Sequence, residues 1–546
     1  MAGGPHLLIL GGGYVPITLT GGLKKRIRRG ELRVTVVSRE NFHAFHGFVG
    51  EMVTGRIGPS NMLSPVRRIF SPAEVNVAEI ESIDLDGKRV IISRHLDGAR
   101  FELGYDQLVL AVGSAENHAV YPGLAEHAYT LKSFKDCFRL KNHILEVFEL
   151  AQIEKDPAER RRLLTFFVAG GGYAGTELAG EMADFVRILT ETEYSGIDRG
   201  ECRVVLVHPG KTIMPELYGL TSFEKEAKGY PKLVEYAMRH SRKLGVELMT
   251  ETRVTATTPN EVHLSSGEHI PTRTVISAVG MRPQPVIEAL DVPKDPRGRV
   301  ETDKFMRVVG YENVWAGGDC AAVPHRDGGT CPPVGIYALH HGGHIAHNLR
   351  RTLDGKSLQP FNYRAFAQGV SIGRRTAVGE IKGVPIRGRF AWLMWRIVLF
   401  YFFPTWDRRL RLLADWSIWP LVGRDIVQLL RDTESAYEVR HAVYQPGELI
   451  AERARPVRHV HVIVEGECEL FRRQDGVEQP MGELGPGEHF GRKWLEESSV
   501  DAVRAKSIVK TVALNQDQAN ELQDLLLSTG RLIARTGKFP TITAKP

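Results

Sequence analysis

The chain has 546 residues, 71 Lys and Arg against 65 Asp and Glu, a net charge of +6, and 42% hydrophobic residues. That length exceeds the roughly 250–300 residues at which one core stops growing, so several domains are expected. With no long block of one sign, the modest charge does not mark a nucleic-acid binder; five scattered cysteines, with no C-x-x-C pair and no zinc or iron–sulfur spacing, exclude a metal cluster and fit a reducing cytoplasm.

The first strand, HLLIL, begins at His6 with no order of basic, apolar and small residues before it, so no signal peptide is expected. It runs into GGGYVP, Gly11 to Pro16, and then a helix, the context that gives G-x-G-x-x-G its meaning. The first glycine permits a tight turn, the second lets the backbone approach a pyrophosphate, and the helix N-terminus offers unpaired N–H groups. Gly11 and Gly13 fit that use. The third glycine is replaced by Pro16, acceptable in a first helical turn where an N–H has no intrahelical partner, although its ring could widen the helix–strand packing. VTVV is the second strand and ends at Ser38 where an acid is usual; Glu40, two residues on, is the alternative ribose acceptor. YDQLVLAVGS closes the unit as an apolar strand and glycine turn, which makes Ala111 and Gly113 cofactor-binding candidates.

After a charged, helical stretch from Ser133 to about Arg162 the plan repeats. LLTFFVA leads into GGGYAG, with Gly170, Gly172 and Gly175 all present, and Glu177 and Glu181 follow on the helix. RVVLVHPG ends in His208 instead of an acid, with Lys211 nearby, and TVISAVG closes the unit at Gly280. A neutral imidazole accepts from a ribose hydroxyl and a charged one meets a 2′-phosphate, so NADH and NADPH both remain open. NVWAGGDCA then places Asp319 just past a strand, where an acid meets a flavin ribityl or pyrophosphate. Two glycine turns with a later AGGD point to two dinucleotides, flavin and nicotinamide, on one chain.

Beyond Gly388 five of the seven tryptophans gather (Trp392, Trp395, Trp406, Trp416 and Trp419), with eight arginines against three aspartates between Arg387 and Arg431. The apolar run from Phe390 to Pro404 is broken by Arg396 and is too short to span a bilayer. Aromatic and cationic residues together predict helices lying in the headgroup region at 388–430; a buried hairpin or a homodimer interface is the alternative. From Tyr437 the chain turns glycine-punctuated and strand-like, with a closing helix expected near Asp517 to Arg535.

The order of NFHAF (Asn41 to Phe45), YDQLVLAVGS, YPGLAEHAYTLKS, GGGYAGTELAGEM, AGGDCA, CPPVGIYALHHG and DWSIWPLVGRDIV resembles the type II NADH dehydrogenases over about residues 6–430. The resemblance implies an α/β fold of two doubly wound domains, for FAD and for NAD(P)H, in a peripheral enzyme on the cytoplasmic face of the cell membrane. It implies hydride transfer from nicotinamide to FAD and two-electron reduction of a quinone without proton pumping. The expected division is 1–160 and 286–380 for FAD, 161–285 for NAD(P)H, 381–432 for membrane-associating helices, and 433–546 for a tail. Glu177 matches a family glutamate near the meeting point of nicotinamide and flavin. His340 and His341 stand where the family commonly has two glutamines; an imidazole titrating near its ordinary value is a proton donor for quinone reduction, which an amide is not. The tail resembles a cyclic nucleotide-binding jelly roll. It is expected to be degenerate, because Arg492 follows Gly491 where the ribose glutamate belongs, and Ser499, Val500 or Asp501 replaces the phosphate-binding arginine. A soluble flavin reductase and a nucleotide-responsive scaffold are the competing readings. Sulfide:quinone and disulfide reductases need paired redox cysteines that Cys137, Cys320 and Cys331 do not clearly supply.

Overall fold

The computed structural model describes residues 4–117, 119–218, 229–428, 440–453, 459–474, 477–491, 495 and 498–514. The closing helix expected at 517–535 and Arg492 lie outside the described residues.

Two parallel five-stranded sheets carry the chain. In the first, Val314–Ala316, Gln107–Leu110, His6–Leu10, Arg33–Ser38 and Glu74–Val77 lie side by side in that order. In the second the order is Ala128–Thr130, Thr274–Ser277, Thr165–Ala169, Arg203–Val207 and Val246–Met249. HLLIL and TFFVA are buried at every position, as expected for central parallel strands covered on both faces. Val314–Ala316 reaches the first sheet's edge from about 200 residues downstream, beside Gln107–Leu110, so the third segment completes the first domain.

The repeat extends further than the glycine turns. Each domain also carries a three-stranded antiparallel meander, Glu79–Asp84, Arg89–Ser93 and Arg100–Gly104 in the first, Val254–Thr257, Glu261–Leu264 and His269–Pro271 in the second. An antiparallel ribbon of Ser114–Glu116 with Met281–Pro283 pairs the outgoing and returning crossings between the domains.

The helix after each turn packs by close backbone approach. In the second turn a Cβ on Gly175 would collide with the carbonyl oxygen of Gly170, which explains the third glycine there. At the corresponding place Pro16 is buried in the helix Tyr14–Arg28, in the first turn where its missing N–H loses nothing. That helix lies against Gly335–Leu353, and a Cβ on Gly342 would collide with the Val15 carbonyl oxygen.

Ala367–Ser371, Ala377–Ile381 and Val384–Arg387 form an antiparallel sheet that leads into the aromatic helices, Gly388–Phe402 and Trp406–Val422. The expected helical segment at 381–432 therefore opens on a strand. Among the described residues no helix is long and apolar enough to cross a membrane. The tail is a sandwich of two four-stranded antiparallel sheets around a core that includes Ile463, Cys468, Phe490 and Val503. It touches the second domain, where His127 Nε2 accepts from Val443 N–H at 2.9 Å and Asn260 donates to Glu448 at 3.2 Å.

Candidate functional site

The two glycine turns have the same geometry. Gly11 and Gly170 adopt φ of +121° and +105°, and a side chain on either would strike the strand beside it, at Ala111 O and at Ala278 O respectively. A Cβ on Gly13 would meet nothing within 4 Å, which leaves that side of the first turn open. Neither following helix has a side-chain cap at its N-cap glycine or an acid in its first turn, so both N-termini keep N–H groups without an intrahelical partner. Gly113, in the left-handed region at φ +70°, is equally open, and Gly280, at +74°, packs against Asn117 and Val120 where the chain crosses back.

Around the first turn the side chains leave two buried polar atoms without partners. His43 Nδ1 donates to the Gly12 carbonyl at 3.2 Å, and burial pushes this imidazole down to about 3. It is therefore neutral, and its Nε2 is a buried acceptor with no partner. His341 has the opposite tautomer. Its Nδ1 accepts from Gly318 N–H at 3.0 Å, so Nε2 carries the hydrogen, buried and unpartnered. Asp319 receives the Ser114 hydroxyl at 3.0 Å and lies 3.4 Å from Lys132 Nζ. An open glycine turn, an uncapped helix, one orphan acceptor and one orphan donor fit a dinucleotide with hydroxyls and a heterocycle, and FAD is such a molecule.

Several sequence expectations change here. Burial, with the neighbouring His340 and His344, pushes His341 down to about 3. It does not titrate near its ordinary value, so it is a fixed hydrogen-bond donor, not a supplier of protons from an imidazolium. His340 is half-buried, stacked on Tyr363 at 3.6 Å, and lowered only by burial. Ser38 is buried under the turn, and its hydroxyl donates to the Glu40 carbonyl at 2.8 Å. The strand stops at Ser38, so the alternation that put Glu40 on the same face does not extend to it; Glu40 is an exposed carboxylate in the following turn. In the second domain His208 Nδ1 accepts from Gly171 N–H at 3.3 Å, and a Cβ on Gly172 would stand 3.2 Å from the carboxylate of Glu216. Glu216 was not anticipated: it lies eight residues beyond His208 on its own short helix, outside any strand-end pattern.

Glu177 sits one turn inside the helix Tyr173–Ile188 and faces the first domain, where Gly50 of the helix Val49–Val53 leaves it room. Burial, then the charges of Glu181 and Glu51, raise its carboxyl well above the ordinary glutamate range. Beside it lies a buried ionic network with members from three parts of the chain. Arg56 pairs with Asp184 and lies 3.4 Å from Glu181; Arg424 reaches Asp184 at 2.7 Å and the Thr54 carbonyl at 3.1 Å; Arg396 pairs with Glu51. Arg396 is 6% exposed and sandwiched between the Trp392 and Trp416 rings at 4.2 and 4.3 Å. It faces inward, contrary to the expectation that the arginines of this segment meet lipid. Spacing gave no sign of these pairings, because their members are up to 370 residues apart.

All five cysteines are buried thiols outside any disulfide, and burial raises Cys137, Cys202, Cys320 and Cys468 to about 12. None of those four is a thiolate nucleophile at neutral pH.

Residues 5–342 match the pyridine nucleotide-disulphide oxidoreductase family, and residues 441–524 match the cyclic nucleotide-binding domain. The chain is 26% identical over 463 residues to the type II NADH:quinone oxidoreductase Ndh of Mycobacterium tuberculosis, covering 82% of this chain and 94% of that protein. It is 28% identical to the demethylphylloquinone reductase NdbB of Synechocystis, covering 76% and 96%. The solved structure of NDH2 from Plasmodium falciparum in complex with NADH superposes with a TM-score of 0.69 at 16% identity, covering 78% of this chain and 99% of that one.

The raised Glu177 carboxyl has a measurable consequence. Above about pH 4.3 the unfolded chain loses this proton while the folded state keeps it, so the residue's contribution to stability declines as pH rises towards the folded value. Glu177→Gln removes that slope, and its melting temperature should gain on the parent between about pH 5 and about pH 8. Parallel melting curves at both pH values would show that Glu177 ionises freely in the fold.

Proposed function

The chain belongs to the pyridine nucleotide-disulphide oxidoreductase family, and we propose that it is an NAD(P)H:quinone oxidoreductase of the type II kind, holding one FAD and working on a membrane surface. The observation that carries this reading is the pair of glycine turns, each opening a helix with no side-chain N-cap, in two parallel-sheet domains of one chain, with Glu177 on the second of those helices facing the first domain. When bound, FAD supplies the two-electron carrier between a nicotinamide donor and a quinone.

Gly11, Gly13 and the N–H groups that open Tyr14–Arg28 hold the FAD pyrophosphate, with Ala111 and Gly113 lining the neighbouring strand end. Asp319, fixed by Ser114 and Lys132, takes the ribityl or pyrophosphate side, and Glu40 is the carboxylate available for the adenosine ribose. His43 Nε2 accepts and His341 Nε2 donates. Gly170, Gly172 and Gly175 hold the nicotinamide dinucleotide's pyrophosphate, and Gly280 gives the crossing backbone its left-handed turn. His208, neutral by burial and with Nδ1 engaged, offers Nε2–H to a ribose oxygen. Lacking the strand-end acid that repels a 2′-phosphate, the site admits NADPH as well as NADH. Glu177, kept protonated by burial, places a neutral hydrogen-bond donor where a carboxylate would repel an electron-rich ring. His340, the more accessible of the paired histidines, delivers protons to the reduced quinone.

The aromatic helices are the membrane anchor in this reading. Phe390, Leu393, Ile397 and Tyr401 recur at helical spacing and are at least half exposed, as are Trp406 and Leu410 on the second helix. Exposed Arg387, Arg389 and Arg411 flank them and suit anionic headgroups. In the tail, Arg453 donates to the carbonyls of Ser498 and Val500 and lies 3.4 Å from Asp501. The loop where the phosphate-binding arginine belongs is thus tied up internally, which supports a module used for contact and not for cyclic nucleotide.

Three measurements test this. Purified protein should be yellow, bleach on mixing with NADH or NADPH, and reoxidise with a menaquinone or ubiquinone analogue; colourless protein, or bleaching without quinone-dependent reoxidation, overturns it. His340→Gln should slow reoxidation by quinone roughly tenfold or more and flatten its pH dependence while leaving bleaching unchanged; an unaltered pH–rate profile removes His340 from the proton path. Ile397→Asp with Leu410→Asp should weaken co-sedimentation with anionic vesicles by roughly tenfold or more, since each buried aliphatic side chain is worth about 1.5–3 kcal/mol; unchanged binding places the anchor elsewhere.

A further inference from the structure

On the outer face of the second meander, three ligating side chains converge, none of them assigned to the flavin, nicotinamide or quinone. Glu261 and His263 are two apart on one strand and so share a face, and His269 lies directly opposite His263 on the neighbouring antiparallel strand. The inward positions between them, Val262 and Ile270, are buried in the domain core, which holds the outward three in register. The imidazole rings stack 4.0 Å apart. His263 Nε2 is 2.9 Å and His269 Nδ1 3.3 Å from the same oxygen, Glu261 Oε1, and one ligating atom from each residue falls within a 4.8 Å cluster.

We propose that Glu261, His263 and His269 form a binding site for a divalent transition metal of the zinc type, with water completing the coordination. Ligands at about 2.0–2.2 Å from a tetrahedral zinc stand about 3.4 Å from one another; the two nitrogen–carboxylate separations here are 2.9 and 3.3 Å, and the stacked rings have to turn for both to meet one ion. Glu261 already draws His263 Nε2 to 2.9 Å in a poorly aligned contact, which a metal between them replaces with two coordination bonds. Two imidazoles and one carboxylate are a borderline donor set, suited to zinc or copper and poorly suited to magnesium or calcium. His269 is about half exposed, so the site is open to a solvated ion. Linear spacing did not disclose it, because the third ligand is brought in by strand pairing across a turn.

Isothermal titration of the tag-free, chelator-treated full chain with Zn2+ tests the site, with magnesium in excess. One equivalent should bind, and His263→Ala and His269→Asn should each weaken it at least tenfold; magnesium should not displace it. His269→Asn alters an exposed side chain, and its melting curve in the absence of metal separates loss of a ligand from loss of fold. Absence of stoichiometric binding, displacement by magnesium, or parental affinity in either variant overturns the proposal. Because the readout is binding, failure here is independent of the flavin and quinone tests.

Discussion

Burying three guanidinium groups is the constraint on which the arrangement of the parts depends. Each ion removed from water costs several kcal/mol, and a buried charge left without its partner costs about 3–5 kcal/mol. Arg56, Arg396 and Arg424 meet that cost only where Glu51, Glu181 and Asp184 converge. Arg56 and Glu51 come from the first domain, Glu181 and Asp184 from the second, and Arg396 and Arg424 from the aromatic helices and the segment after them. Separating any one part orphans charges on the other two. The three buried cations face Glu51, Glu181 and Asp184, the partly exposed Arg187 adds a contact to Asp184 at 3.0 Å, and Glu177 beside them is held towards its neutral form.

The same pairing orients the apolar surface. With Arg396 turned inward between Trp392 and Trp416, Phe390, Ile397 and Tyr401 fall about 100–140° around the helix from it and face outward. The second helix follows, because Trp416 both covers Arg396 and packs on Phe48 at 5.6 Å. The exposed hydrophobic stripe is therefore a by-product of a buried ion pair. The tryptophans closest to it are structural, not interfacial, and the exposed Trp406 is the one free to meet an apolar phase.

What could be read in the sequence was whatever is local and periodic. The strand–turn–helix units were legible because a central parallel strand has to be apolar throughout and a backbone at φ above +100° has to be glycine, as at Gly11 and Gly170. Asp319 was legible because its own strand and turn announce it. Environment was not. His340 and His341 are adjacent and identical in sequence, yet one is stacked near the surface while the other is sealed and neutral, because a helix turns adjacent residues about 100° apart. Arg396 was misread for the same reason: an arginine in an apolar run has the same local pattern whether it faces water, lipid or a glutamate 345 residues earlier. Ser38 and Glu40 show the limit of alternation, which ends where the strand ends.

The tail poses a different question, since its contacts fall on the second domain. His127 belongs to the short helix Leu124–His127, immediately before the strand Ala128–Thr130 at the edge of that domain's parallel sheet, and its Nε2 accepts the Val443 N–H. An imidazolium has no lone pair for this bond. Burial pulls His127 down to about 4, so the neutral acceptor form persists throughout the neutral range, and the contact is not a proton switch. Asn260, adjacent to Glu261, donates to Glu448 from the other side of the interface. Among the described residues the module grips the helix before the edge strand and the residue that leads into the meander, so these contacts act on the dinucleotide domain by displacing those elements and not by a change of charge at the histidine.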